Sequence, residues 1–307
     1  MQNRPILCKI GPVKIVLLFL SFVSASASTV FCADIAAWET KAGHGDSEAQ
    51  VQLARACLQG LGVPENPEKA FALFEQAAAT GNVEAKAALG YLCLTGKGTK
   101  KDESKGIDLL REAANAGSPK AAYNLAQHMI KKGPEHSKEA LELMTQAAGA
   151  GMAEARLALA GWYYFGETGI PVDDKKAFAL YMELAEKGNP VAENAVGAML
   201  YVGRGIPADR AQGAAYYRKA AEKGCAKAQA NLGQLYASGD TVGRNKIEAL
   251  KWLFRANAQG EVTARIALKA FLRGVNETEI EEALKTSGIL RSSALNLEDP
   301  PARDPEQ

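Results

Sequence analysis

Residues 81–98 read GNVEAKAALGYLCLTGKG, and residues 188–205 read GNPVAENAVGAMLYVGRG. Glycine, alanine and aliphatic positions recur in the same order about a hundred residues apart, so periodicity is tested before any local structure is assigned. Gly45, Gly81, Gly117, Gly151, Gly188, Gly224 and Gly260 each close such a segment, at successive spacings of 36, 36, 34, 37, 36 and 36 residues. The chain is an array of one supersecondary module.

Counting from each boundary glycine gives the module its form. Four residues on stands alanine in every unit: Ala49, Ala85, Ala121, Ala155, Ala192, Ala228 and Ala264. Eight on stand Leu53, Leu89, Leu125, Leu159, Val196, Leu232 and Leu268, and nine on the residue is small, as at Gly90, Gly197 and Gly233. That spacing puts the side chains on one side of a helix. Glycine fifteen on (Gly60, Gly96, Gly166, Gly203, Gly239) predicts a left-handed C-cap. A second helix follows, with alanine pairs such as Ala77-Ala78 and Ala220-Ala221 near its end.

A hairpin of this size cannot bury its apolar face alone, so neighbours must stack. The expected fold is all-α, a right-handed α-solenoid superhelix of stacked helix-turn-helix repeats, the first helices lining the concave side. Six repeats are placed at 45–80, 81–116, 117–150, 151–187, 188–223 and 224–259. A capping helix is expected over 28–44, a partial seventh repeat and closing helix over 260–287, and a disordered tail over 288–307. The third unit, with HMIKKGPEHSK and Lys132 in place of the capping glycine, leaves its loop geometry open.

The pattern A-x-x-x-L-G-x-x-Y-x-x-G carried by Ala228, Leu232, Gly233, Tyr236 and Gly239 resembles the Sel-one-like repeat family, relatives of tetratricopeptide repeats. The GLGVP and GRGIP loops agree with it. The resemblance runs from Gly45 to about Leu284. It implies scaffolding of other proteins, often in exported or lumenal settings, and no shared active site.

The N-terminus has a separate logic. Arg4, Lys9 and Lys14 precede the apolar run IVLLFLSFV, and Ala25-Ser26-Ala27 offers a small-residue cleavage site. This is the order of a signal peptide over 1–27, too short to span a bilayer. The expected location is periplasmic or secreted, or the ER lumen if the source is eukaryotic. No membrane span is expected after Val23. Removing the leader takes the net charge from +1 to −2, which argues against a nucleic-acid partner.

Reactive constellations are sparse. His44, His128 and His136 and the cysteines Cys32, Cys57, Cys93 and Cys225 have no metal-ligand spacing, so no metal or cofactor is expected. Cys57 and Cys93 occupy equivalent positions in neighbouring hairpins. Stacked helices lie about 8–10 Å apart, beyond the ~7 Å reach of a disulfide, so both thiols are expected free. The GLG, GKG and GRG pairs join two helices rather than a strand to a helix, so they are turns and not phosphate loops. No nucleophile motif is present. The expected protein is therefore not an enzyme. The alternative, a cell-envelope enzyme or a β-lactam or peptidoglycan binder of the cysteine-rich type, lacks that type's cysteine pair in every repeat.

One stripe remains. Positions 3, 7, 10 and 14 are solvated in the first unit (Glu48, Gln52, Arg55, Gln59), the third and the sixth. In the fourth and fifth units the stripe turns apolar: Ala158 and Phe165 beside Tyr164, then Ala195, Ala198 and Val202 beside Tyr201. These seven residues are the candidate groove for a protein or peptide ligand; close packing among themselves is the competing interpretation.

Overall fold

The structure, a computed structural model, describes residues 25–298. The apolar leader up to Ser24 and the residues from Asp299 onward lie outside them. The chain divides into two compact units, one ending at Val172 and one beginning at Asp173.

The first unit contains α1 (Ala25–Gly43), α2 (Ser47–Gln59), α3 (Pro67–Ala79), α4 (Val83–Thr95), α5 (Glu103–Asn115), α6 (Pro119–Lys132), α7 (Ser137–Gly149) and α8 (Ala153–Phe165). The second contains α9 (Asp174–Glu186), α10 (Pro190–Val202), α11 (Arg210–Glu222), α12 (Ala226–Ser238), α13 (Lys246–Ala258), α14 (Val262–Phe271), α15 (Glu277–Ser287) and α16 (Arg291–Ala294). Every regular element is helical among the described residues, and each unit is a stack of α-hairpins: the fold is the expected all-α solenoid.

The caps explain why helices start and stop where they do. Each first helix begins two residues after a boundary glycine, and in four of them the intervening residue, Asp46, Asn82, Ser118 or Asn189, accepts a hydrogen bond from the alanine N–H three residues on. Asn66, Asp102, Asp173, Asp209 and Asn245 do the same for second helices. An uncapped start would leave those amides without partners. Gly60, Gly96, Gly203 and Gly239 form the expected left-handed C-caps. Gly166 does not: its ψ is 115°, and the extra residue of that repeat lets Glu167 and Ile170 form a small bridge that buries Ile170. In the third repeat α6 runs one residue longer, and a 3-10 turn over Pro134–His136 leads directly into α7.

Small residues set the distance between helices. A Cβ on Gly213 would lie 2.8 Å from Gly197 O, and one on Gly197 would lie 2.9 Å from Tyr217 Cδ1. The α10–α11 crossing therefore tolerates nothing larger at either site. In the first unit Val51, Leu53, Cys57, Phe74, Leu89 and Leu92 share one core, which α1 closes with Ile35 and Trp38. In the second, Leu250, Leu253, Phe254, Leu268 and Leu284 do so.

Side chains at or near the position five residues after a boundary glycine join the layers. Gln50 Nε2 donates to Ala42 O at 3.3 Å and to Gln76 Oε1 at 3.4 Å. Gln229 Nε2 donates to Ala221 O at 3.0 Å, while Gln259 Nε2 donates to Gln229 Oε1 at 2.8 Å. An Arg156 guanidinium N–H reaches Ala148 O at 3.0 Å. Where the position is Ala122, Gln146 from the following helix reaches the equivalent carbonyl, Ala114 O, at 2.9 Å. Where it is Glu193, Lys223 Nζ donates to the carboxylate at 2.6 Å and to Gly188 O at 3.0 Å. Carbonyls at a helix end have no donor of their own, so these side chains both satisfy them and tie three helices together.

The C-terminal end corrects one expectation. The tail from 288 is not wholly unstructured: Ala294 is fully buried, and Ile289, Leu295 and Leu297 pack on the core. Asn257 Nδ2 donates to Ala294 O at 2.9 Å and to Asn296 O at 3.0 Å. The prolines that suggested disorder all lie beyond this apolar segment, at Pro300, Pro301 and Pro305.

Candidate partner-binding surface

In the first unit the first-helix stripe is polar and interlinked. An Arg55 guanidinium N–H donates to Glu84 across α2 and α4. Gln52 Nε2 donates to Glu48 Oε1 at 2.8 Å. Tyr91 stands exposed on α4. A recess of about 350 Å³ opens between the starts of α4 and α6, lined by Val83, Glu84, Ala87, Ser118, Pro119 and Lys120 among others. Atoms crowding it desolvate the Lys120 ammonium, and with Arg55 they hold it below the usual lysine value. Glu103 receives Lys132 Nζ at 2.5 Å and lies 3.2 Å from His128 Nε2; those hydrogen bonds lower its pKa, Lys132's most.

On α8, Ala158 and Phe165 are half-buried and Tyr164 is buried. The Tyr164 and Phe165 rings meet edge to face, with centroids 4.8 Å apart. On α10 the proposed groove residues separate. Ala195 and Ala198 are buried, as is every residue from Ala192 to Leu200. Val191 and Val202 are 42% and 44% exposed. Tyr164, Ala195 and Ala198 are thus inaccessible to a partner, whereas Phe165, Ala158 and Tyr201 are partly accessible and Val202 is open. Small side chains on α10 bring neighbouring helices close enough to cover its middle.

Tyr201 sits in a polar knot that the sequence did not reveal. Its hydroxyl donates to Asp240 Oδ2 across the α10 and α12 ends. The Arg210 guanidinium lies 5.4 Å from the Tyr201 ring centroid, with Nη1 3.5 Å from Asp240 Oδ2. Burial and then Asp240 push the Tyr201 phenol up to about 12, and the same hydrogen bond holds Asp240 below the ordinary aspartate value. Next in the chain, Thr241 has φ 69° where Gly62, Gly98 and Gly205 have φ 72°, 73° and 74°.

Cys57 and Cys93 are buried free thiols whose pKa values burial raises. Among the described residues no group of three or more His, Cys, Asp or Glu is placed to hold a metal ion. Among the same residues no helix is long and apolar enough to cross a membrane.

Capped hairpins of 34 to 37 residues, stacked through alanine and glycine seams, define a tandem helical-repeat protein. Six Sel1 repeats match, at residues 47–82, 83–118, 119–152, 151–189, 190–225 and 226–261, so the chain belongs to the Sel1 repeat family. All but the fourth begin two residues after a boundary glycine. Among solved structures, a protective antigen of uropathogenic Escherichia coli strains displaying an SLR fold is 28% identical, with a TM-score of 0.73 over 84% of this chain and 56% of that one. This chain therefore spans little more than half the length of that antigen. A Sel1 repeat protein from Oxalobacter formigenes is 26% identical, with a TM-score of 0.64 over 85% of this chain and 81% of that one. No curated protein matches the chain. Sel1 repeats generally mediate protein–protein interaction, and proteins of this family are typically non-enzymatic scaffolds.

Proposed function

We propose that this chain is an exported, non-enzymatic scaffold that binds a peptide segment or another envelope protein through the exposed stripe of its first helices. The observation that carries the reading is the pair Val191 and Val202 on α10. They stand open at the two ends of a helix whose middle is buried. Eleven residues apart, they share one face and are about 16 Å distant along the axis. That is about the span of five extended residues, a fit for a short peptide with apolar side chains near both ends. Phe165, on α8 of the other unit, is half-accessible in its own right and is tested separately. The leader IVLLFLSFV followed by Ala25-Ser26-Ala27 supports export.

The test is affinity capture from the exported fraction with the wild-type chain and with Val202→Asp and Phe165→Asp. Circular dichroism checks that each variant is folded; Val202, being exposed, tolerates the change best. The expected result is a partner retained by wild type and lost at least tenfold with Val202→Asp. Equal capture by all three chains moves the binding surface away from this stripe. Unfolding of Phe165→Asp alone assigns that ring to the core and leaves the Val191–Val202 ledge as the site.

A further inference from the structure

Among the described residues, α14 is the last of the stacked first helices. Position six after the boundary glycine is where each first helix is covered by the next one. Val51, Ala87, Asn194 and Ala230 there are 0%, 2%, 4% and 0% exposed, and Tyr123 and Leu157 are half-buried. Ala230 shares its core with Ala264 and Leu268 of α14, which show what covers it. The last instance, Ile266, is 64% exposed, and Val262 one turn earlier is 49% exposed. Ala270, one turn later, is also exposed. Spaced at four residues, the three form one continuous stripe on α14.

We propose that this stripe pairs with the same stripe of a second copy of the chain, α14 against α14, antiparallel about a two-fold axis at Ile266. Three observations select this occupant. An antiparallel pair centred on Ile266 sets Val262 opposite Ala270, large against small, and symmetry repeats the match. The N-cap of α14 is Glu261, and Arg273 lies in the 3-10 turn that follows it, so the pairing brings the acidic end of one helix to the basic end of the other. It also opposes the two helix dipoles. A head-to-tail continuation is mismatched instead. The Arg55–Glu84 and Asn194–Asn231 contacts show that positions three and seven of a following helix meet positions ten and six of the one before. On α2 those positions hold the hydrogen-bonded pair Glu48 and Gln52, and covering Ile266 with them would strip a carboxylate of water. One helix pair buries far less than the roughly 800 Å² per partner of a stable interface, so the association is weak and concentration-dependent.

Sedimentation velocity on the purified chain, from low micromolar to near-millimolar concentration, tests this. The sedimentation coefficient is expected to rise and level off at the dimer. Ile266→Glu, at an exposed position, is expected to keep the wild-type circular dichroism and melting temperature yet remain monomeric throughout. In a separate experiment, Ile266→Cys under mild oxidation is expected to give a covalent dimer bridged between the two introduced cysteines at position 266. A chain that is monomeric at every concentration overturns the proposal. So does association that Ile266→Glu leaves unchanged, or growth past the dimer. A bridge formed in a mixture of Ile266→Cys and Glu48→Cys chains between positions 48 and 266 would establish head-to-tail stacking in its place.

Discussion

Tyr201 is a residue whose sequence position gave an incomplete account of its role. It was expected on a binding stripe, and it is half-accessible, but its hydroxyl is committed to Asp240 under the Arg210 guanidinium. The neighbouring Thr241 holds a β-branched side chain in the left-handed region, φ 69°, which costs about 1–3 kcal/mol and is kept only where surrounding contacts enforce it. Here its hydroxyl lies 3.2 Å from Asp240 Oδ1, so the strained residue belongs to the same knot. A pH signature follows. Burial and Asp240 push the folded phenol up to about 12, whereas in an unfolded chain it ionises at about 10. Between those values the folded state retains a proton that the unfolded state has lost. The stability that Tyr201 supplies is therefore complete below about pH 10 and falls as pH rises toward about 12. Tyr201→Phe is expected to lower the urea midpoint at neutral pH and to flatten its decline across that window. Parallel curves would show that folding does not raise the Tyr201 phenol's pKa, and equal midpoints at neutral pH would show that its hydroxyl adds nothing to stability.

At the scale of elements, the loops rather than the helices fix how one hairpin meets the next. Gly205 lies in the loop after α10, and a Cβ there would sit 2.4 Å from Asp174 O at the start of α9. Arg204 Nε donates to Asp174 Oδ1 at 2.7 Å in the same contact. Gly224 has a similar positive φ of 88°, but a Cβ on it would meet nothing within 4 Å. Gly224→Ala should therefore cost backbone strain alone, about 1 kcal/mol, and Gly205→Ala about 2–4 kcal/mol because a backbone must also move. Urea denaturation of both variants with an unchanged m-value measures the difference; equal losses would mean that the loop yields without disturbing α9. Such glycines were legible because a fixed spacing repeats them. The polar ties were not. Gln50, Arg156 and Gln229 stand at one position and do one job, yet as residue types they have no pattern; at Ala122 the task passes to Gln146, and at Glu193 the carboxylate instead receives Lys223, which reaches a carbonyl itself. The candidate stripe was half legible for a related reason. Helical spacing placed Val202, Ala195 and Ala198 on one face, but exposure depends on helices distant in sequence, and they bury the two alanines.

For the whole molecule, stacking makes stability a sum of hairpins and their nearest-neighbour contacts, so the ends matter out of proportion to their length. At one end α1 lays Ile35 and Trp38 over α2 and α3. At the other, the segment after Gly288 inserts Ala294, Leu295 and Leu297 beside α13 and supplies two carbonyls to Asn257, a side chain otherwise buried there. A chain ending at Ser287 would lose those apolar contacts and expose the Asn257 amide. It would also lose the link from Arg291 to Glu277 and Glu281, an exposed ion cluster that contributes little on its own. Because each hairpin is held by its neighbours, the damage should be graded. Amide hydrogen exchange is expected to quicken most in α13 and α15, less in α12, and hardly at all in α10. A uniform rise across α9 to α15 would instead mean that this unit opens as one cooperative block, and the nearest-neighbour account of its stability would fail.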